Sequence, residues 1–498
     1  MCCVYEPVCS SCLILPSRDT PGIMSCFFCG CENVIVCVDC KISACPQHMP
    51  LHNKGGSCMP WRVATVEGAG RGLFASRNIS AGEVVLKDWP VVEGPLPDGG
   101  DGVCVVCLED GDVARCSRCT LPLCRSRACR SQHKKECDVL AEKDDIGEVS
   151  RDNMYTIVAV MRLLWEMERD PSMRSLLEPL MDHKEQFRND ENKKQVIKFL
   201  VRRNHEEELI LRAIGILQTN GVTSHSAGGV ARGHGLYPVF SITNHSCVAN
   251  TRHGVKDDAF CLVATVDIAK DQEITTSYKS SSLGSIVRRP PFRQLWNFDC
   301  TCPRCSDPTE LGTYASALKC KGCSGHYLPV QSLDYSSEWR CDKCNKTITA
   351  DQAMDRTEVA QKICGTGRGS IDDLEKTLYE LLEHVHSRHY LAMQIKRMLM
   401  LMYGNCASHR LDSMSKKDIK RKADLCKEYL TIFNILEPGL TKWKGRVCEE
   451  LARALVKLQG KSDVEVLRLV GEAGKCRRLD SQQEQSAFNM RIATLMNG

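Results

Sequence analysis

The chain has 498 residues, 43% hydrophobic and 26% charged, which excludes a low-complexity polypeptide and leaves room for several globular domains. Its 66 Lys and Arg stand against 62 Asp and Glu, a net charge of +4 that argues against a dedicated nucleic-acid site. No apolar run reaches membrane-span length, so no membrane partner is expected. The opening Met1-Cys2-Cys3-Val4-Tyr5-Glu6 lacks the basic start and apolar core of a signal peptide. Without a secretory signal the 32 cysteines are expected as thiols in a reducing compartment, nucleus and/or cytoplasm. Many fall in Cys-x2-Cys pairs, the spacing at which two thiolates share one tetrahedral zinc.

Residues 1–60 are Cys/His-rich. Cys26, Cys29, Cys37, Cys40, Cys45, His48, His52 and Cys58 form four pairs of potential ligands, and Cys2, Cys3, Cys9 and Cys12 either add a site or replace some of these. Residues 61–103 read as short strands around Gly70-Arg71-Gly72-Leu73-Phe74-Ala75 and Glu83-Val84-Val85-Leu86, ending in the linker Pro95–Gly102. Residues 104–137 hold Cys104, Cys107, Cys116, Cys119, Cys124, Cys129, His133 and Cys137, enough for two closed tetrahedral sites.

Residues 138–235 read as helical, with Ile157, Val160, Leu163 and Leu164, then Ile210, Ala213, Ile214 and Leu217, at helical spacing, followed by a Gly/Ser-rich loop over 221–235. Residues 236–299 carry strand-like segments at 236–243 and 259–278. Cys300, Cys302 and Cys305 follow within 300–310. Cys320, Cys323, Cys341 and Cys344, within 311–350, have zinc-ribbon spacing. Sites closed by four protein ligands have no open position, so these metals are expected to be structural.

Residues 351–498 form amphipathic stripes: Ile371, Leu374, Leu378, Leu381, Leu382 and Val385; then Ile419, Ala423, Cys426, Leu430 and Phe433; then Trp443, Val447, Leu451, Ala454 and Leu458. Stacked helical hairpins and a plain helical bundle both fit this pattern.

Three separated segments resemble one family in their joint order: Gly70-Arg71-Gly72-Leu73-Phe74; Gly235-Leu236-Tyr237-Pro238 with Asn244-His245-Ser246-Cys247 and Asn250; and Glu273-Ile274-Thr275-Thr276-Ser277-Tyr278 with Phe298-Asp299-Cys300-Thr301-Cys302-Pro303-Arg304-Cys305. Together they resemble a SET domain of the SET-and-MYND (SMYD) family, and the block at 104–137 resembles the MYND finger that splits it. The extra N-terminal finger and the ribbon resemble an arthropod, SmydA-type branch.

The resemblance implies an α+β fold: a small-stranded SET β-fold split by a MYND zinc finger, with extra zinc modules and a C-terminal all-helical, TPR-like domain. It implies cross-braced zincs on Cys104, Cys107, Cys124 and Cys129, and on Cys116, Cys119, His133 and Cys137. In a degenerate N-terminal finger it pairs Cys26, Cys29, Cys45 and His48 against Cys37, Cys40, His52 and Cys58. Cys247 joins Cys300, Cys302 and Cys305 in a post-SET zinc.

S-adenosylmethionine is the implied cofactor. It would be held by Gly70, Arg71, Gly72, Asn244, His245, Tyr278 and Phe298, with Tyr155 and Asn220 as further candidates and Tyr278 at the methyl-transfer channel. The implied activity is protein-lysine N-methyltransfer to histone or non-histone lysines, so the expected partner is a protein bearing a target lysine. One departure stands out: where the family's methylating members carry a second tyrosine, this chain has Trp296, which presents no hydroxyl. The alternative is a catalytically weak adaptor of co-repressor type, which recruits proline-rich peptides or co-repressors through its MYND finger and other partners through its helical domain.

Overall fold

The computed structural model describes residues 59–96, 102–141, 149–169, 171–225, 231–256, 259–367, 369–477 and 482–497. Upstream it describes the strands Cys12–Leu13, Ile35–Cys37 and Ser43–Ala44, which form one antiparallel sheet with Cys12 opposite Cys37. Cys26, Cys29, Cys40, Cys45, His48, His52, Cys58 and the side chain of Cys37 lie outside the described residues, as do Cys2, Cys3 and Cys9.

The first part of the β-fold comprises β1 (Trp61–Val66), β2 (Gly70–Ala75), β3 (Val84–Asp88) and β4 (Val92–Pro95). The second part, far downstream, comprises β5 (Gly221–His225), β6 (Ala231–Leu236), β7 (Asn244–His245), β8 (Thr251–Lys256), β9 (Ala259–Ala264) and β10 (Glu273–Thr276). Every sheet mixes the two parts. Their orders are β7-β10-β2-β1, β8-β9-β3 and β5-β6-β4. β10 runs antiparallel to β2, with Ile274 opposite Leu73, and parallel to β7, with Asn244 opposite Thr275.

The core repeats this mixture. Trp61, Leu73, Ile79, Val85 and Leu86 from the first part bury against Tyr237, Phe240, Phe260, Leu262 and Ile274 from the second. Buried Asp88 fastens the two polar backbones: its Oδ2 accepts from the amides of Val239 and Phe240, each at 2.9 Å. Those amides open a short 3-10 turn, Phe240–Ile242, where the sequence suggests a strand over 236–243. Two hydrogen bonds to one carboxylate stabilise the turn more than an edge ladder would.

Residues 221–225 and 231–235 also differ from the expected loop. β5 and β6 form a hairpin there, and β6 pairs with β4 (Gly235 opposite Glu93). Its Gly- and Ser-rich strands carry little apolar alternation, so their signal lies in the partner strand rather than in themselves.

Between the two parts lie the finger, with α1 (Arg127–Leu140), and a helical insert with α2 (Arg151–Arg169), α3 (Glu191–Val201) and α4 (Glu207–Asn220). Arg162 of α2 ties three units together. It donates to both oxygens of Glu136 on α1 (2.5 and 3.0 Å), to the Val105 carbonyl of the finger (3.1 Å) and to the Glu93 carbonyl of β4 (2.6 Å).

After β10 come α5 (Pro290–Trp296), the ribbon, and α6 (Ala350–Thr366), α7 (Ile371–Leu381), α8 (Tyr390–Met402), α9 (Lys416–Leu436), α10 (Lys442–Gln459), α11 (Val464–Cys476) and α12 (Gln482–Asn497). Side-chain caps at Thr349, Ser370, His389, Ser415, Thr441 and Asp463 start six of these. From α6 to α11 each helix packs on the next in chain order, the pattern of stacked hairpins. Trp443 and Leu458 end the third stripe at its rim, 37% and 38% exposed, while Val447, Leu451 and Ala454 fill the core. The turn after α9 docks on the β-fold. Leu440 N donates to Thr265 O at 2.7 Å, and a Cβ on Gly439 (φ +85°) would lie 1.8 Å from that oxygen, so only glycine fits.

Replacing Asp88 by Ala should strand two buried amides and lower stability by about 3 kcal/mol, read as a shift of the urea midpoint. A change under about 1 kcal/mol would show that Asp88 is not the clamp described.

Candidate active site and zinc clusters

The sheet order β7-β10-β2 brings the three sequence segments edge to edge. Asn244, on β7, donates from Nδ2 to the Arg71 carbonyl on β2 (3.1 Å) and to Glu273 Oε1 on β10 (2.8 Å). Gly72 makes this convergence possible. A Cβ there would stand 2.8 Å from Asn244 Nδ2, from Glu273 Oε1 and from Val66 Cγ2. Gly70 (φ +78°) faces open space. Arg71 reaches away, donating to the Pro179 carbonyl at 2.8 Å.

His245 is engaged on both sides of its ring. Nδ1 accepts from the Tyr278 amide at 3.0 Å, and Nε2 lies 3.2 Å from Cys247 Sγ. Burial pushes its pKa down to about 4, so the ring stays neutral. Tyr278, two residues past β10, donates its hydroxyl to the Thr243 carbonyl at 2.8 Å. Burial, helped by the Glu273 carboxylate, pushes the phenol up and keeps it protonated.

Around these two residues stand Phe292, Trp296 and Phe298. Phe292 and Phe298 stack at 5.3 Å, His245 lies 4.3 Å from Phe292, and Trp296 lies 5.2 Å from Tyr278. The result is an aromatic cluster at the mouth of the sheet.

Two candidates belong to the helical insert. Tyr155 is 2% exposed inside the helical-insert core. Asn220 ends α4 and spends its amide on the Met181 and Ile216 carbonyls (2.7 and 2.9 Å). Residue types alone did not single out Glu273 and Asn250. Glu273 faces Asn244. Asn250 braces β10 through the Glu273 carbonyl and the Thr275 amide (2.8 and 2.9 Å). Both stand inside the quoted segments, and that position was the available signal.

Four clusters bring their ligand atoms within 4.8 Å of one another: Cys104, Cys107, Cys124 and Cys129; Cys116, Cys119, His133 and Cys137; Cys247, Cys300, Cys302 and Cys305; and Cys320, Cys323, Cys341 and Cys344. Their sulfur–sulfur distances include 3.6, 3.8, 3.5, 3.7 and 3.5 Å. A tetrahedron with zinc–sulfur bonds of about 2.3 Å has edges of about 3.8 Å, whereas a disulfide needs about 2.05 Å. The donor sets therefore fit zinc. The Nδ1 of His133 lies 3.5 Å from Glu136 Oε2, the carboxylate gripped by Arg162.

The cluster beside the aromatic residues is charge-compensated. Fully buried Arg288 points Nε at Cys247 Sγ (3.2 Å) and Nη2 at Cys305 Sγ (3.5 Å). Its Nη1 and the Nε of fully buried Arg304 both donate to Glu310 Oε2, at 3.1 and 3.0 Å. Burial works against the Glu310 charge, but Arg304 and Arg288 outweigh it and hold the carboxyl well below its usual range.

Residues 70–279 match the SET domain family model. The chain is similar to the Drosophila melanogaster SET domain-containing protein SmydA-8, isoform A, at 32% identity over 313 residues, 58% of this chain and 65% of that protein. It is similar to the Arabidopsis thaliana histone-lysine N-methyltransferase ASHR1 at 23% over 376 residues (68% and 75%). It is also similar to the Homo sapiens histone-lysine N-methyltransferase SMYD1 at 25% over 275 residues (49% and 55%). The chain thus spans just under two thirds of the length of the first of these relatives.

Metal analysis should return at least four zincs per chain, with Cys302→Ser and Cys341→Ser each removing one. Fewer than four in the unaltered protein would refute the closed-site assignment.

Proposed function

We propose that this chain, which belongs to the SET-and-MYND (SMYD) family in its SmydA-type branch, is an S-adenosylmethionine-dependent protein-lysine N-methyltransferase acting on histone or non-histone lysines. The observation that carries the reading is the meeting of Gly72 on β2 and Asn244 on β7 across β10, with Tyr278 just past the end of β10. The protein works in the nucleus and/or cytoplasm.

S-adenosylmethionine, when bound, supplies an electrophilic methyl on a sulfonium. Gly70 leaves open space at the start of β2, so backbone can face the cofactor there, while Gly72 lets Asn244 and Glu273 close in beside it. Both amide hydrogens of Asn244 are engaged, which leaves its Oδ1 as the atom to accept from a bound amino group. His245 acts through its backbone and its ring packing, since both ring nitrogens already have neighbours. Phe298 offers an aromatic face for the adenine.

A free lysine has a pKa of about 10.4, and only its neutral amine is nucleophilic. The low-polarity wall of Tyr278, Phe292, Trp296 and Phe298 disfavours the ammonium. It also narrows the approach, so the amine is aligned rather than free to tumble. Tyr278, anchored through its hydroxyl to Thr243, keeps that wall fixed.

A second reading is favoured by one residue. Trp296 puts an indole against Tyr278 and brings no hydroxyl to the channel. A chain with this wall can retain the cofactor and serve as an adaptor for proline-rich peptides or co-repressors.

Titration calorimetry on the zinc-loaded protein should give one S-adenosylmethionine per chain, and label should pass to members of a lysine-peptide array. No binding overturns the enzyme reading; binding without transfer favours the adaptor. His245→Ala should weaken cofactor binding roughly tenfold, by loss of the Tyr278 amide's acceptor, with zinc content unchanged. Loss of zinc in that variant would show that the residue belongs to the metal site instead.

A further inference from the structure

The ribbon does more than close a zinc site. Its strands His326–Pro329 and Trp339–Cys341 pair with Pro329 opposite Trp339, and residues 330–338 form the tip between them. That tip lies on α5, the helix whose last residue is Trp296.

The contacts are specific. Arg289, just before α5 and 3% exposed, donates Nη1 to the Ser332 carbonyl (2.6 Å) and Nη2 to the Leu333 carbonyl (2.9 Å). Its guanidinium also sits 4.6 Å from the Tyr335 ring centre, and Arg293, one turn later, sits 5.4 Å from it. Beyond the helix end, the Tyr335 hydroxyl donates to Asp299 Oδ1 at 3.2 Å, while Asp299 Oδ2 accepts from Arg293 at 2.6 Å. One side chain therefore touches both sides of the segment that carries Trp296 and Phe298. The Tyr335 ring meets the guanidiniums with its face and the Asp299 carboxylate with its hydroxyl, which constrains rotation as well as distance.

The other end of the ribbon is fixed to the helical domain. Lys319 N donates to His384 O (2.8 Å), His386 N to Ala317 O (3.0 Å) and Tyr390 N to Ala315 O (2.9 Å). The module therefore bridges the helical array and the channel wall.

We infer that the ribbon tip is a positioning element for the lysine channel, with Tyr335 as its positioning residue: it sets the place of Trp296 and Phe298 against Tyr278. The geometric part stands on these contacts; only the effect on turnover rests on the methyltransferase reading.

The test uses the full zinc-loaded chain labelled with 5-fluorotryptophan, the Trp296 resonance being assigned with Trp296→Phe. Tyr335→Ala should shift or broaden that resonance and leave those of Trp61, Trp165 and Trp443 in place, with zinc content unchanged. Tyr335→Phe keeps the ring on the guanidiniums and loses only the Asp299 bond, so a smaller shift is expected. It also decides the matter should Tyr335→Ala release the ribbon zinc. Tyr379→Ala, at a position 75% exposed on α7, is the control.

An unmoved Trp296 resonance in Tyr335→Phe and in zinc-replete Tyr335→Ala overturns the inference. For lysine-peptide methylation at saturating cofactor, Tyr335→Ala should lower kcat by about tenfold. Unchanged kcat in an active enzyme also overturns it. A shifted resonance in a protein without any transferase activity upholds the positioning role and removes the methyltransferase reading instead.

Discussion

The pairing of Leu73 and Phe74 with Glu273 and Ile274 joins strands about two hundred residues apart, and the candidate site exists only when it forms. The finger and the helical insert are, in effect, one long loop closed by that ladder. Closure entropy rises only logarithmically with length, by about 0.6 kcal/mol per doubling, so a large insertion costs little once its ends are held. The holding is distributed. Asp88 locks the backbone of the second part, the Trp61–Phe260 core buries both parts together, and Arg162 binds the finger and insert back to β4.

The second constraint is charge. Four thiolates around a divalent zinc leave surplus negative charge in a buried place. Arg288 and Arg304 supply the counter-charge, and Glu310 holds both guanidiniums while its remaining oxygen accepts from the Ser285 amide and the Ser316 hydroxyl (2.8 and 2.6 Å). A buried charge is tolerable when paired and hydrogen-bonded, and here the pairing spans the chain from 285 to 316. The same knot seats α5, because Phe292 packs among Cys247, Cys300 and Cys305. The metal cluster is thus a footing for the aromatic wall, and its chemistry is mechanical rather than Lewis-acidic.

On the methyltransferase reading proposed above, that wall separates cofactor retention from turnover. Gly72, Asn244 and Glu273 interlock through backbone and amide bonds that do not involve Trp296. Tyr278 packs against both His245 and Trp296, and the ribbon tip reaches the same segment at Asp299. A change at Trp296 therefore acts first on the aromatic wall around Tyr278, and leaves the Gly72–Asn244–Glu273 contacts in place.

Much of the site was legible in the sequence, because its information is local. Cys-x2-Cys spacing fits the chelate geometry of one zinc, so the ligand groups at 104–137 and 320–344 are written in short-range order. The Gly-x-Gly and Asn-His-Ser-Cys segments are likewise short, and helical periodicity marked Ile371–Leu381 and Ile419–Phe433. Long-range pairing decided the rest. The β5–β6 hairpin draws its order from β4, and the turn at 240–242 from Asp88, about 150 residues away. Asn220 and Tyr155 are candidates that the resemblance implies; their surroundings, the Met181 carbonyl and the insert core, come from distant parts of the chain. The Arg288–Glu310–Arg304 knot and the Tyr335 clamp leave no periodic trace, since a salt bridge or a cation–π contact needs only that two side chains meet in space. Sequence alone determined which residues can bind metal and which segments form helices. Only the tertiary structure decided which of them face one another, because that depends on the sheet order into which the distant strands close.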